Sequence, residues 1–360
     1  MKTKTLFLSL FALLLLAACK PDPVDPVTPD NPNQLTLGKG VLVLNEGSYT
    51  NANSTLTFYD IEKDSVMNYL FYRVNGAPIG DVGQCLCLVD GKLFIVVNNS
   101  KYIYKVDART IQCDTTQPYK LDSVFLSPRY MHAVAPNKAY VSDLISRNLW
   151  IIDPQTLTLS GTVAMGKPTE TMVQVGRELF LTNYSRYYAD GIQNNTVQVV
   201  DVENDVKVAE IEVGYEPNGM VVDCQGMVWV LCEGDVNDFD VPSTLWRIDP
   251  RLRRASLMRT FEEKALSLAI DPTGNYLYYF HHGDLHRCSI DAPETDDSFS
   301  IPADGRLLYK ISVNPQNGDL YVSDAKNYMV NGSVYRYTSD GLLLGSFNAG
   351  ICPGYMLFYQ

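Results

Sequence analysis

The chain has 360 residues, with 29 Lys plus Arg against 41 Asp plus Glu. Without the first 18 residues, which hold two Lys and no acid, the balance is 27 against 41, or −14. That charge argues against nucleic acid as a partner, because its affinity rests largely on cationic contacts to phosphate, and no Lys/Arg run long enough to offset it is present.

Residues 1–18 read as a targeting segment. Lys2 and Lys4 form a basic start, and Leu6 to Leu16 form an apolar core too short for a transmembrane anchor. Leu16-Ala17-Ala18-Cys19 resembles the lipobox of bacterial lipoproteins, which implies cleavage before Cys19 and lipidation of its thiol. Residues 19–36 contain Pro21, Pro23, Pro26, Pro29 and Pro32 with Asp22, Asp25 and Asp30 between them. This composition makes a stiff, solvated tether. Lys20 follows Cys19, so the inner-membrane retention signal of Asp at that place is absent. By resemblance, the expected location is the outer membrane, with the lipid-anchored chain facing the cell exterior.

Residues 37–360 are expected to form one repeated domain. Seven apolar strands end in, or just before, an Asp: Asp60, Asp107, Asp153, Asp201, Asp249, Asp291 and Asp340. The intervals are 47, 46, 48, 48, 42 and 49 residues, and such a period marks repeated supersecondary units. The third repeat shows the unit plainly. Tyr130 to Val134, Lys138 to Val141, Asn148 to Ile152 and Leu157 to Ala164 read as strands, separated by Pro136-Asn137, a polar loop and Asp153-Pro154. Second strands recur as LFIVV (93–97), LFLTN (179–183), MVWVLC (227–232), YLYYF (276–280) and LYVSD (320–324). No window has a convincing helical period. Four antiparallel strands per unit define an all-β seven-bladed propeller. The first repeat lacks a preceding strand, and GYMLFYQ (354–360) is spare at the end. The terminal strand is therefore expected to complete the first blade and close the ring.

Seven cysteines remain besides Cys19: Cys85, Cys87, Cys113, Cys224, Cys232, Cys288 and Cys352. Most read as small buried hydrophobes, although a bridge such as one involving Cys224 and Cys232 stays open. No GxSxG, HExxH, P-loop or paired CxxC motif is present. His281, His282 and His286 lie in HHGDLHR, which reads as a hairpin turn at Gly283-Asp284 with locally satisfied imidazoles rather than a metal site. Asp235 to Asp240 lacks the Gly that a calcium loop requires at its sixth position, and reads as a solvated acidic loop. No cofactor and no resident metal is expected.

The loops joining second to third strands are long and rich in Tyr, Asn, Ser and Arg. They share one face of a propeller with the loops that link blades, and long loops on a rigid scaffold commonly carry binding. Tyr offers a broad contact face with a polar tip, while Asn and Ser adapt their hydrogen bonds. The candidate ligand residues are Asn45, Tyr49, Asn98, Tyr102, Arg147, Tyr184, Arg186, Tyr187, Phe239 and Tyr328.

The repeat of apolar strand, Asn or Asp, loop, strand ending in I/V-D, strand and Gly resembles the YncE-like seven-bladed propellers. The lipobox, the Pro/Asp tether, the LNEGSY opening (Leu44 to Tyr49) and the C-terminal strand resemble more narrowly the BtuG-type surface lipoproteins of Bacteroidetes. That resemblance implies binding of cobalamin, or a related corrinoid, as a ligand rather than a cofactor, and its transfer to a TonB-dependent outer-membrane transporter. The function expected is non-catalytic capture. A glycan- or protein-binding propeller and a propeller enzyme of lactonase or quinoprotein type are the alternatives. Trp150, Trp229 and Trp246 sit inside strand-like runs and read as core, not as quinone-stacking groups.

Overall fold

The structure is a computed structural model that describes residues 35–114, 118–120, 125–184, 194–235, 238 and 240–359. Seven four-stranded antiparallel sheets are arranged as blades in chain order. The innermost strands are Pro353–Tyr359 in blade 1, then Gly83–Val89, Pro128–Ala135, Met172–Val175, Pro217–Val222, Ala265–Ile270 and Leu308–Val313 in blades 2 to 7. The C-terminal strand pairs with Gly40–Asn45, setting Val41 opposite Phe358 and Leu42 opposite Leu357. It also packs against the inner strands of blades 7 and 2, which closes the ring.

The second strand of each blade lies between inner and outer strands and is covered on both faces by neighbouring blades. This is why these segments read as continuous apolar runs rather than alternating ones. Gly40–Asn45, Val228–Cys232 and Leu320–Asp324 are buried throughout. Alternate side chains serve opposite interfaces. Leu93, Ile95 and Val97 pack toward blade 1, whereas Phe94 and Val96 pack toward blade 3. One apolar cluster fills each of the seven blade interfaces. The closing interface joins Val41, Val43 and Met356 of blade 1 to Tyr321, Val334 and Phe347 of blade 7.

The Asp repeat has a local cause. At the end of the third strands, one carboxylate oxygen accepts two backbone N–H groups of the following turn. Asp60 receives Glu62 and Lys63, Asp107 receives Arg109 and Thr110, and Asp153 receives Gln155 and Thr156. Asp201 and Asp249 repeat the pattern. Asp291 and Asp340 do not. There the strands end at Ser289 and Tyr337, and Ser289 and Thr338 hydroxyls take the turn N–H groups. The repeat is thus set by a side-chain acceptor at the turn, with Ser or Thr replacing Asp in the last two blades.

Two further departures concern local elements. A short helix, Leu70–Asn75, lies in the connection from blade 1 to blade 2 and buries Leu70 and Phe71. Six residues are too few to show a helical period in sequence. The seven cysteines of the domain are free thiols, so Cys224 and Cys232 are unbridged; Cys224 is exposed, not a core hydrophobe. Among the described residues, no helix is long and apolar enough to cross a membrane.

Candidate functional site

Every second strand ends in, or is followed directly by, a buried polar residue on the face where the second-to-third loops gather. The series is Asn45, Asn98, Asp143, Asn183, Glu233, His281 and Asp324. Most of them clamp loops. Asn45 donates to Thr55 Oγ1 and Thr57 Oγ1 at 3.0 Å each. Asn98 donates to Ser127 Oγ and Pro128 O, and Asp143 accepts Leu126, Ser127, Ile145 and Ser146 N–H groups. Buried polar groups need such partners, and the amide nitrogens of Asn45 and Asn98 are spent inside the protein, although Asn45 Oδ1 is buried without a partner.

The other sequence candidates divide by position. The Tyr102 hydroxyl donates to Ile79 O at 2.6 Å, and its ring packs edge-on to Tyr104 at 5.2 Å, so it anchors the link between blades 1 and 2. Tyr184 is half-buried and Arg147 is exposed. Tyr49 and Tyr328 are exposed at 69% and 47%. Arg186, Tyr187 and Phe239, like Cys19, lie outside the described residues.

Six of the seven inner strands carry a β-bulge at the end nearest this face. The irregularities span Gln84, Arg129 and Tyr130, Asn218, Ser267 and Leu268, Tyr309 and Lys310, and the Leu44/Asn45 pairing opposite Gly354. A bulge re-aims side chains and ends regular pairing. Here the result is a polar ring around the channel mouth. Arg129 of blade 3 donates to Gln84 of blade 2 at 2.5 Å and makes two bonds of 2.7 and 2.6 Å to Glu170 of blade 4. Asn218 donates to Glu233 at 2.6 Å. Tyr309 of blade 7 donates to Glu46 of blade 1 at 2.9 Å. Tyr130 of blade 3 lies 6.3 Å from Tyr355 of blade 1, a contact between non-adjacent blades that only the central axis allows.

Burial opposes the charge on Arg129, but the Glu170 carboxylate prevails and holds the guanidinium charged. Burial raises the Glu46 pKa; Lys310 and the Tyr309 hydrogen bond lower it without offsetting that effect. Burial likewise pushes up the phenols of Tyr130 and Tyr309, and the Cys85 thiol to about 12. The phenols and the thiol favour their protonated forms, which suit hydrogen bonding better than nucleophilic attack.

Around this polar mouth stands an apolar rim. Tyr49, Ile145, Tyr215, Leu266, Tyr328 and Met329 are exposed on the same loop face. Tyr328 adopts a left-handed backbone, φ 62°, and packs edge-on to Tyr309 at 5.8 Å. Ser48 Oγ donates to Tyr328 O at 3.2 Å, tying the opening loop of blade 1 to blade 7. Beside Leu266, a shallow groove of about 410 Å³ runs between Pro242, Glu263, Lys264 and His282.

The histidine hairpin forms, but its two-residue turn is His282-Gly283 rather than Gly283-Asp284, because Asp284 pairs with His281. His282 and His286 pair with Glu263 and Asp296 at 3.1 and 3.3 Å, but neither ring nitrogen of buried His281 has a partner, so that imidazole is not satisfied locally. Among the described residues, no three His, Cys, Asp or Glu groups are placed to hold a metal ion. In the acidic loop, Lys264 donates to the carbonyls of Glu233, Asp235 and Val241.

The mouth residues Gln84, Arg129, Glu170, Asn218 and Tyr309 were absent from the sequence candidates, as was Glu46. One signal was available: Pro128, Pro217 and Pro353 stand immediately before Arg129, Asn218 and Gly354 at the start of inner strands. Proline cannot donate to the ladder and favours bulges and strand starts.

A closed ring of seven four-stranded blades, with a polar mouth and an aromatic rim on one loop face, defines a seven-bladed β-propeller. The chain belongs to the family described as a domain of unknown function, DUF5074, whose model matches residues 39–348. No curated protein matches the sequence. Among solved structures, it is similar to a quinonprotein alcohol dehydrogenase-like protein of Bacteroides thetaiotaomicron, at 17% identity and TM-score 0.66, covering 90% of this chain and 79% of that one. It is also similar to a hypothetical selenium-binding protein of Sulfolobus tokodaii, at 11% identity and TM-score 0.64, covering 93% and 96%. A putative 6-phosphogluconolactonase of Bacteroides uniformis matches at 12% identity and TM-score 0.62, covering 89% and 100%. At such identities the likeness is one of fold, and propellers host many activities.

Proposed function

We propose that this protein is a lipid-anchored outer-membrane propeller that captures cobalamin, or a related corrinoid, and passes it to a TonB-dependent transporter. The observation that carries the reading is the pairing of an aromatic rim, Tyr49 and Tyr328, with a polar mouth built from Gln84, Arg129, Glu170, Asn218 and Glu46. A corrinoid is broad and carries amides around its edge. Flat aromatic faces suit its body, and groups that donate and accept hydrogen bonds suit its amides. The BtuG-type organisation of the sequence supports the same ligand class, and the raised pKa values at the mouth favour holding a ligand over attacking one.

Calorimetric titration of the purified domain with cobalamin tests the capture step. Saturable one-to-one binding is expected; a flat titration overturns the reading and brings a glycan or protein partner forward. A propeller enzyme is the other reading, favoured by the dehydrogenase-like and lactonase names of the fold neighbours. Against it, Trp229 and Trp150 are buried in the core and offer no stacking face at the mouth. Anchoring is tested separately. Cys19→Ser is expected to abolish lipid labelling and release the protein from the membrane fraction, and a mutant that stays membrane-bound contradicts the anchor.

A further inference from the structure

We infer that Glu46 makes the mouth selective for a ligand arm that donates hydrogen bonds, a primary amide, over the same arm carrying a carboxylate. The inference rests on the capture reading and names the group that is read and the residue that reads it.

Glu46 directly follows the second strand of blade 1. Its backbone N–H donates to Cys352 O at 2.8 Å, and that of Gly47 donates to Ile351 O at 3.0 Å, which fixes the loop against the closing seam of the ring. From there the side chain crosses Gly354. At the corresponding place other inner strands carry Gln84, Arg129, Asn218 or Tyr309. A β-carbon on Gly354 would overlap the Glu46 carboxylate and the Cγ that precedes it. The missing side chain in blade 1 therefore leaves a notch, and a carboxylate from the neighbouring loop fills it.

Two carboxylates of this mouth differ in what they have left to give. Glu170 is buried and Arg129 occupies both of its oxygens. Glu46 is half-buried and accepts from Tyr309 through Oε2, while Oε1 lies over Gly354. A carboxyl group that accepts one hydrogen bond keeps further acceptor lone pairs, so Glu46 keeps capacity for an incoming N–H donor. Tyr309 in turn carries Tyr328 against its ring, which brings the exposed aromatic of the rim next to this acceptor. A flat body resting on Tyr328 would present a peripheral arm to Glu46. An amide arm supplies N–H donors there, whereas a carboxylate arm brings only acceptors to an acceptor, the repulsive half of specificity. The charged groups nearby are Lys310, Arg129 and Glu170. Arg129 is committed to Glu170 and Gln84, which leaves Lys310 as the cation that would favour an acidic arm.

The test is a titration of wild type, Glu46→Gln and Gly354→Ala at pH 7. The ligands are cobalamin and each cobalamin monocarboxylic acid made by hydrolysing one peripheral amide. Circular dichroism checks that the variants fold. The expected wild-type result is at least one monoacid bound about tenfold or more weakly than cobalamin, with that preference lost in Glu46→Gln. Gly354→Ala, which displaces the carboxylate, is expected to lose the preference as well. Equal wild-type affinity for cobalamin and all monoacids overturns the inference and leaves capture standing. So does a preference unchanged in Glu46→Gln, or tighter binding of the acids, which would assign selectivity to Lys310. Wild type that binds neither cobalamin nor its acids overturns capture, and this inference with it.

Discussion

Asn45 and Tyr49 lie four residues apart in one loop-strand junction and do different work. Asn45 is fully buried and bonds Thr55 and Thr57, while Tyr49 projects into solvent. Replacing Asn45 by Ala leaves buried hydroxyls short of a partner, a loss of about 1–3 kcal/mol. A lower thermal midpoint with unchanged ligand affinity is the expected outcome, read by melting and titration together. Tyr49→Ala and Tyr328→Ala should do the reverse. Losing a central aromatic anchor costs on the order of 2 kcal/mol, about thirtyfold in affinity, with little change in melting. An affinity loss in Asn45→Ala that exceeds both would reverse these roles. The sequence candidates mixed the two kinds because a polar residue after an apolar strand has the same composition whether it points into a loop clamp or out to a ligand. The exposed Tyr49 and Tyr328 were legible from loop composition. Glu46 was not, since its reach depends on Gly354 from the far end of the chain.

The Asp-capped turn is the element that gives the chain its period. In the folded protein the Asp60 pKa is lowered, first by its bond to Lys63, and the Asp201 pKa is lowered, first by its bond to Asn204. A carboxyl group with a depressed folded pKa adds stability above its unfolded value, about 3.9, and loses it as pH falls through the folded value. Melting midpoints are therefore expected to be flat near neutrality and to fall below about pH 4. Replacing Asp60 and Asp201 by Asn should shallow that acid limb; an unchanged limb would mean these caps carry none of it. The inner-strand bulges are the element that sequence hid. A bulge adds one or two unpaired residues without altering the apolar run around it, so the pattern did not single out Arg129 or Asn218. Only the preceding prolines marked them.

The ring is held by seven apolar interfaces, and the last strand helps build two of them, with Tyr355 also touching the interface of blades 2 and 3. Met356 packs in the interface with blade 7, and Tyr355, Leu357 and Tyr359 pack in the interface with blade 2. Deleting residues 353–360 strips both and leaves Gly40–Asn45 as an open sheet edge. The thermal midpoint is expected to fall by roughly 10 °C or more, as several kcal/mol are lost at about 2–4 °C each for a domain of this size. An unchanged midpoint would contradict closure. The blade count and closing strand were legible because period and strand pattern survive in one dimension. The site was legible only in part, because the mouth is assembled from residues of different blades, 38 or more positions apart. The central claim, corrinoid capture on that mouth, is tested most directly by colour. The purified domain is mixed with excess cobalamin, desalted, and the visible spectrum of the protein fraction is read. A stoichiometric cobalamin spectrum eluting with the protein is the result expected, and a colourless protein fraction would contradict the account.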